Sequence, residues 1–137
     1  MNARRVAEQL LVDEGLRLKP YRCTAGKLTI GVGRNLEDKG ISAAEALGLL
    51  DNDIDEFWKE LTSLLPWVLT APEAVQEVLL NMAFNLGVPG LLKFKETLRL
   101  LQSGGYSLAA QAMLDSKWAK QVGPRAERLS RRVKALA

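Results

Sequence analysis

Three polar residues close to the N-terminus are of types that can do chemistry. Glu14, Cys23 and Thr29 lie in the run DEGLRLKPYRCTAGKLTIGVGR, which also holds the only cysteine of the chain and four glycines. A carboxyl group can act as an acid or base, and a thiolate is a nucleophile. The chain has no histidine, which excludes the Ser-His-Asp and Cys-His pairs and any histidine base. If the protein is an enzyme, carboxylates are therefore its obvious acids and bases.

Glu14 occupies an unfavourable position. Asp13 and Glu14 directly precede Gly15, where a first helix is expected to end. The C-terminus of a helix favours cations, so the local field disfavours a charged carboxylate and favours its protonated form. The alternative is a solvated acid at a helix end. The position by itself suits a proton donor.

The composition limits the class of protein. With 137 residues and 47% hydrophobic residues, the chain fits a single globular domain. A net charge of +3 suits an anionic partner without naming one. No apolar run is long enough to span a membrane, and the N-terminus is too polar for a secretory signal, so a cytosolic protein is expected. One cysteine without histidine forms neither an internal disulfide nor a zinc site.

Hydrophobic spacing and caps predict the elements that position these residues. Apolar residues at helical spacing follow Asn2, and residues 27–35 alternate like a strand after a tight turn at TAG. Two Ser/Thr-x-x-Glu capping boxes begin later helices. The predicted helices are Asn2 to Gly15, Ser42 to Pro66, Thr70 to Gly87, Phe94 to Gln102, Ser107 to Trp118, and Pro124 onward.

This order of elements predicts an α+β, mostly α fold in one domain, residues 1–137. A small β hairpin lobe would cover about residues 16–41, and a larger helical lobe about residues 1–14 and 62–137. A long connecting helix over about residues 43–65 would join them. A cleft between the lobes would be the default binding site.

Four sequence blocks resemble those of a known family. DEGLRLKPY, TIGVGRNL, LLNMAFNLGVPGLLKF and SKWAKQVGPRAERL are similar, in order, to the signature blocks of the T-even phage lysozyme family, the endolysins that cut peptidoglycan. The resemblance extends from about Leu10 to about Leu129. It implies a two-lobed lysozyme-like fold and a muramidase that cleaves the β-1,4 bond between N-acetylmuramic acid and N-acetylglucosamine. It implies no cofactor and no metal.

The resemblance also implies a catalytic set of Glu14, Cys23 and Thr29. The family spacing is glutamate, then aspartate or cysteine nine residues later, then threonine six further, and this chain matches it. Glu14 would protonate the glycosidic oxygen, Thr29 would help to hold the attacking water, and Cys23 would act opposite Glu14. Nearby Arg22 and Lys27 are expected to lower the thiol pKa. Inversion through water is favoured over direct thiol attack with retention. The alternatives are a buried apolar cysteine and an ordinary strand threonine.

Further residues follow from the same resemblance. Gly33 would form a bare floor beside Thr29 on which a sugar ring could lie, and Phe84 and Asn85 would touch substrate. Arg125 would face the catalytic glutamate, although it could be one solvated cation of the terminal helix, and Phe84 could belong to the core. Arg34 replaces a family histidine, and we expect it to pair with an aspartate on the long helix, Asp53.

The expected partners follow from this interpretation. Peptidoglycan would be the substrate of a monomer that binds no nucleic acid and has no membrane span. The protein would collect in the host bacterial cytoplasm and act on the cell wall after release, with a holin-like membrane protein opening the way. The alternative is a non-catalytic basic helical module that binds nucleic acid through RAERLSRRVK.

Overall fold

A computed structural model describes the whole chain, Met1–Ala137. It confirms the predicted α+β, mostly α class, with eight α-helices, one 3₁₀ helix and a small three-stranded sheet. The chain divides into two compact units, Met1–Leu49 and Leu50–Ala137. The helices are α1 (Ala3–Glu14), α2 (Ala43–Leu64), α3 (Glu73–Leu86), α4 (Val88–Leu91), α5 (Lys95–Ser103), α6 (Tyr106–Leu114), α7 (Lys117–Val122) and α8 (Pro124–Lys134). The strands are β1 (Arg17–Arg22), β2 (Leu28–Gly31) and β3 (Arg34–Asn35).

Helix α1 has the predicted ends. The Asn2 side chain accepts a hydrogen bond of 3.0 Å from the backbone N–H of Arg5, which satisfies one of the free donors at the helix start. Gly15 ends the helix with a φ of 76°, and its N–H donates to the Leu11 carbonyl. Glu14 is therefore the last residue of α1, as the sequence predicted.

The sheet is antiparallel in the order β1-β2-β3. The predicted turn before β2 is present, since the Gly26 N–H donates to the Cys23 carbonyl at 2.8 Å. The single strand predicted over residues 27–35 is instead two strands, because the chain turns at Val32 and Gly33 and pairs Arg34 with Ile30. Gly33 therefore lies in a turn and does not share a strand face with Thr29.

The first unit is held together largely by polar contacts. Thr29 is its one buried residue, at 3% exposure, so this unit has almost no hydrophobic core. A group of ion pairs joins Arg22 and Lys27 to the carboxylates of Glu37 and Asp38, each at 3.4 Å. The shape of the sheet region consequently depends on specific hydrogen bonds and ion pairs.

The long helix α2 begins at the predicted capping box. The Ser42 hydroxyl accepts from the Glu45 N–H at 3.1 Å, and the Glu45 carboxylate accepts from the Ser42 N–H at 2.9 Å. These reciprocal bonds satisfy two donors that a helix start otherwise leaves free. The helix begins in the first unit and ends in the second.

The second unit encloses the hydrophobic core. The predicted apolar face of α3 is buried, and it packs with side chains of α2, α5, α6 and α8. Each large side chain buried in this way contributes about 1.5–3 kcal/mol to folding. The largest fully buried side chains are Leu61, Leu79, Met82, Leu91, Met113, Val68, Val75, Val78, Val88 and Val133.

Two local predictions in this unit are wrong. Thr70 does not cap α3, because its hydroxyl donates to the Trp67 carbonyl inside a 3₁₀ helix over Pro66–Thr70. Pro72 takes the cap position without a side-chain bond. The helix predicted from Ser107 to Trp118 is two helices, since Ser116 caps a new one by accepting from the Ala119 N–H at 3.2 Å. No helix has the length and apolar character needed to cross a membrane.

Candidate active site

Glu14 lies against the turn between β2 and β3. An added Cβ at Gly33 would be 3.0 Å from Glu14 Oε2 and 3.1 Å from the carboxyl carbon, so the glycine leaves space for this carboxyl group. Gly33 also has a φ of 67°, a conformation that other residues adopt only with strain. The local fold thus places an exposed carboxyl group, at the end of α1, beside a backbone without a side chain.

We predict that Gly33→Ala lowers activity by displacing the Glu14 carboxyl group. The added methyl group would contact Glu14, and a misplacement of about 1 Å at a catalytic group can cost about a hundredfold in rate. Positive φ adds a strain of roughly 1–2 kcal/mol to the variant. Lysis rates and thermal unfolding, measured on the same preparations, test the prediction.

Gly104→Ala is the matched control. Gly104 has a φ of 83° but no atom within 4 Å of an added Cβ, so the variant carries the same backbone strain without the contact. Equal activity of the two alanine variants would show that the Gly33 contact has no effect on catalysis.

Cys23 is half-buried at the start of the turn between β1 and β2. The backbone amides of Lys27 and Ala25 lower the pKa of its thiol by hydrogen bonding, and the Thr29 hydroxyl acts in the same direction. The sequence suggested a different cause, the charges of Arg22 and Lys27. Both cations are instead engaged with carboxylates, and Arg22 also donates to the Gly26 carbonyl at 3.0 Å. The turn itself therefore favours a thiolate here.

Thr29 lies next to Cys23 but is not an open floor for a sugar. Thr29 is only 3% exposed, and its hydroxyl donates to the Lys27 carbonyl at 2.8 Å. The Thr29 hydroxyl also contributes to lowering the pKa of the Cys23 thiol. Cys23 and Thr29 thus lie close enough for the hydroxyl to influence the thiol, and they are the part of the predicted catalytic set that the sheet brings together.

The predicted partner of Arg34 is corrected. The guanidinium binds Glu45 instead of Asp53, with Nη1 at 2.8 Å and 2.9 Å from the two carboxylate oxygens, and it also donates to the Gly40 carbonyl at 3.3 Å. The capping box fixes the Glu45 carboxylate at the start of α2, close to the loop that follows β3. Arg34 therefore binds Glu45, which is nearer along the chain than Asp53 and is already oriented by its capping bonds.

Phe84 and Arg125 line one cavity in the second unit. The cavity has a volume of about 310 Å³, and Phe84, at 42% exposure, is not a core residue. Its ring lies 5.4 Å from that of Phe57. Arg125 is held by Asn81, whose side-chain oxygen and backbone carbonyl accept its hydrogen bonds at 2.9 and 3.0 Å. The complete lining is Leu50, Ile54, Glu77, Leu80, Asn81, Phe84 and Arg125.

Asn81 is a site residue that the sequence analysis missed. It lies three residues before Phe84 on α3, the spacing that puts two side chains on one helix face. Asn85, which was predicted to touch substrate, has a structural partner instead. Its side-chain oxygen accepts a 2.8 Å hydrogen bond from the indole N–H of Trp118. The side-chain NH₂ group of Asn85 takes no part in this bond.

A second cavity of about 700 Å³ was also missed. Phe94 and Trp118 form part of its wall, with their rings 6.1 Å apart. Lys93, Lys95 and Lys117 line it, and none of the three forms an ion pair, whereas the acidic Glu96 is paired with Arg99. Three free cations suit an anionic ligand. The lysines come from two distant segments, so no local motif indicated them.

Comparison with known proteins identifies the family of the chain. The family model for phage lysozyme matches residues 12–135. The chain is 27% identical over 154 residues to probable T4-type lysozyme 1 of Dictyostelium discoideum, a match that covers 90% of each chain. It is 32% identical over 113 residues to the endolysin of Acyrthosiphon pisum secondary endosymbiont phage 1, covering 78% of this chain and 72% of the endolysin.

A further relative is much longer. The chain is 30% identical over 153 residues to the pre-baseplate central spike protein of Enterobacteria phage T4, a match that covers 91% of this chain but 27% of the spike protein. The chain thus spans about a quarter of that relative's length. These matches confirm the resemblance inferred from the four sequence blocks. The chain belongs to the phage lysozyme family, a family of lysozyme-type glycoside hydrolases.

Proposed function

We propose that the protein is a muramidase that hydrolyses the β-1,4 bond between N-acetylmuramic acid and N-acetylglucosamine and so lyses bacterial cell walls. Family membership supports peptidoglycan hydrolysis. One observation carries the proposal of glycosidic bond hydrolysis. A single unit holds a carboxyl group packed on Gly33, which can act as an acid, and the Cys23 thiol near Thr29, which can act as a base or nucleophile, and these are the two roles that glycoside hydrolysis requires.

In the proposed reaction Glu14 is the general acid. Its proton passes to the glycosidic oxygen as the bond from that oxygen to the anomeric carbon breaks. Water attacks the same carbon and loses a proton to the Cys23 thiolate, while Thr29 orients the water. Solvent then restores the starting protonation states. This sequence inverts the anomeric carbon, whereas direct attack by the thiolate, followed by hydrolysis of the thioglycoside, would retain its configuration.

The remaining predicted residues are proposed to bind substrate. Gly33 would let the Glu14 carboxyl group lie against its backbone, next to the sugar whose glycosidic oxygen is protonated. In the second unit, the half-exposed ring of Phe84 offers an apolar face to a sugar ring, and Arg125 offers donors to its hydroxyl or acetamido oxygens. The free NH₂ group of Asn85 is left as a donor. The three lysines of the second cavity would meet the carboxylates of peptidoglycan stem peptides.

The chemistry of the product tests the proposal. Purified peptidoglycan is digested and the new reducing ends are labelled with borohydride. A muramidase yields the alcohol of N-acetylmuramic acid, a glucosaminidase yields that of N-acetylglucosamine, and a transglycosylase yields a 1,6-anhydro sugar with no new reducing end. Only the first product agrees with the proposal. Loss of turbidity of bacterial cells stripped of their outer membrane gives the matching lysis rate.

The nucleic-acid alternative gains no support from helix α8. Arg131 and Arg132 pair with Glu127 and Glu77, and Arg125 is bound to Asn81. Arg128 and Lys134 are the two cations of this helix without such a partner. Two separate charges can add a weak, salt-sensitive attraction to an anionic wall, but they do not form a nucleic-acid-binding stripe.

We further propose that the enzyme acts as a monomer after release from the host cytoplasm. The endolysin relative supports action on the wall. Release through a holin-like membrane protein would bring the enzyme to its substrate. Coexpression tests this step, because lysis of the host should require both proteins, and lysis by the enzyme alone would contradict it.

A further inference from the structure

The turn that carries Gly33 is anchored from outside the sheet. Strand β3 is only two residues long, and the turn before it touches the Glu14 carboxyl group at Gly33. The next residue, Arg34, reaches across to the carboxylate of Glu45 at 2.8 Å. Because this unit has a single buried residue, no hydrophobic core holds the turn in place. The ion pair is consequently a main side-chain constraint on the backbone beside Glu14, in addition to the short pairing of β2 with β3.

Glu45 is itself rigidly held. One of its oxygens accepts from the Ser42 N–H at 2.9 Å while the carboxylate also binds Arg34, and its own N–H donates to the Ser42 hydroxyl. The Glu45 side chain therefore caps the start of α2 and also binds Arg34, the residue that follows Gly33. Both oxygens of this acceptor contact the same nitrogen, Arg34 Nη1, and so fix the position of that end of the guanidinium.

We propose that Glu45 is a positioning residue for the reaction, which holds the Gly33 turn through Arg34 so that the Glu14 carboxyl group is correctly placed. This inference rests on the proposed role of Glu14 as the general acid. Glu45 touches no reacting atom in this scheme. Its contribution is to geometry, since a partly exposed ion pair adds little to stability.

The ion pair should persist under working conditions. The hydrogen bond from Arg34, followed by those from Ser42, lowers the pKa of the Glu45 carboxyl group to about 2. Glu45 in turn raises the pKa of Arg34. A carboxyl group with a lowered pKa stabilises the fold above its ordinary value of 4.5, and this contribution is lost as the pH falls toward 2. The positioning contact is therefore complete at neutral and mildly acidic pH.

Glu45→Gln separates the two tasks of this side chain. The amide oxygen of glutamine can still accept from the Ser42 N–H, so the cap of α2 is kept. The ion pair with Arg34 is lost. We expect kcat to fall about tenfold or more with KM within about twofold, since misplacement affects the reacting group and not sugar binding. Thermal unfolding should change little, and stability should lose part of its dependence on pH below about 4.5.

Two variants serve as controls. Ser42→Ala removes the hydroxyl that caps α2 but keeps the ion pair between Arg34 and Glu45. It should therefore lower the melting temperature more than it lowers kcat. Glu8→Gln makes the same charge change in an exposed pair with Arg4 on α1 and should leave both quantities unchanged. A fall in kcat that simply follows the loss of stability across these variants would overturn the proposal.

A double-mutant cycle tests whether Glu45 acts through Arg34. Arg34→Gln, Glu45→Gln and the double variant should show strongly non-additive changes in the logarithm of kcat, because either single change releases the same turn. Additive changes, or a normal kcat in Glu45→Gln, would refute the inference. If Glu14→Gln is inactive while Glu45→Gln is normal, only the positioning role fails. If Glu14→Gln is active, both proposals fail.

Discussion

Glu14→Gln is expected to lower the rate of wall lysis by about 10²- to 10⁴-fold, the usual cost of losing general acid catalysis. Glutamine keeps the shape of the side chain, so the contact with Gly33 survives, but the amide cannot donate the required proton. Initial rates on purified peptidoglycan measure the effect. A folded Glu14→Gln protein that lyses cells at the wild-type rate would refute the assignment.

The same substitution should not destabilise the protein. Glu14 ends α1, where the helix dipole disfavours a negative charge, so a neutral side chain should leave the melting temperature equal or higher. Gain of stability with loss of activity is typical of a residue kept for function. Asp13→Asn is the matched control, because it removes one negative charge from the same helix end and should keep activity within a fewfold of wild type.

Cys23→Ala is expected to lose most activity, whereas Cys23→Asp should keep a substantial part of it. Aspartate restores an anionic base at this position, and alanine leaves the Thr29 hydroxyl without a catalytic partner. A thiol-alkylating reagent should inactivate the wild type and spare Cys23→Asp. Wild-type lysis by Cys23→Ala would mean that the cysteine only packs and that another group activates the water.

The pH dependence should separate the two active forms. Hydrogen bonds from the turn amides lower the pKa of the Cys23 thiol, and the reaction needs this thiolate together with a protonated Glu14, so the pH profile should depend on the thiol. In Cys23→Asp the pH range of activity should move to lower pH, because an ordinary aspartate ionises near 3.9. An unchanged pH profile would argue against the thiolate.

Proton NMR of the first product distinguishes inversion of the anomeric carbon from retention.

Local signals in the sequence were sufficient for many element boundaries. The ends of α1 at Asn2 and Gly15 and the Ser42 cap of α2 depend on hydrogen bonds between residues at most four apart. Such contacts form wherever the motif occurs, unless a neighbouring element competes. The second box at Thr70 shows that competition, since a 3₁₀ helix ending at Thr70 takes its hydroxyl.

The sequence by itself determined the family, the α+β class and the candidate reacting groups, because these follow from residue types in a characteristic order along the chain. Only the tertiary structure decided which partner each side chain takes. Arg34 binds Glu45, and Asn85 accepts from Trp118, 33 positions away. The thiol pKa is lowered by turn amides and not by the neighbouring cations. Partner choice depends on distances and directions between segments that chain order does not encode, so it emerges only when the elements are packed.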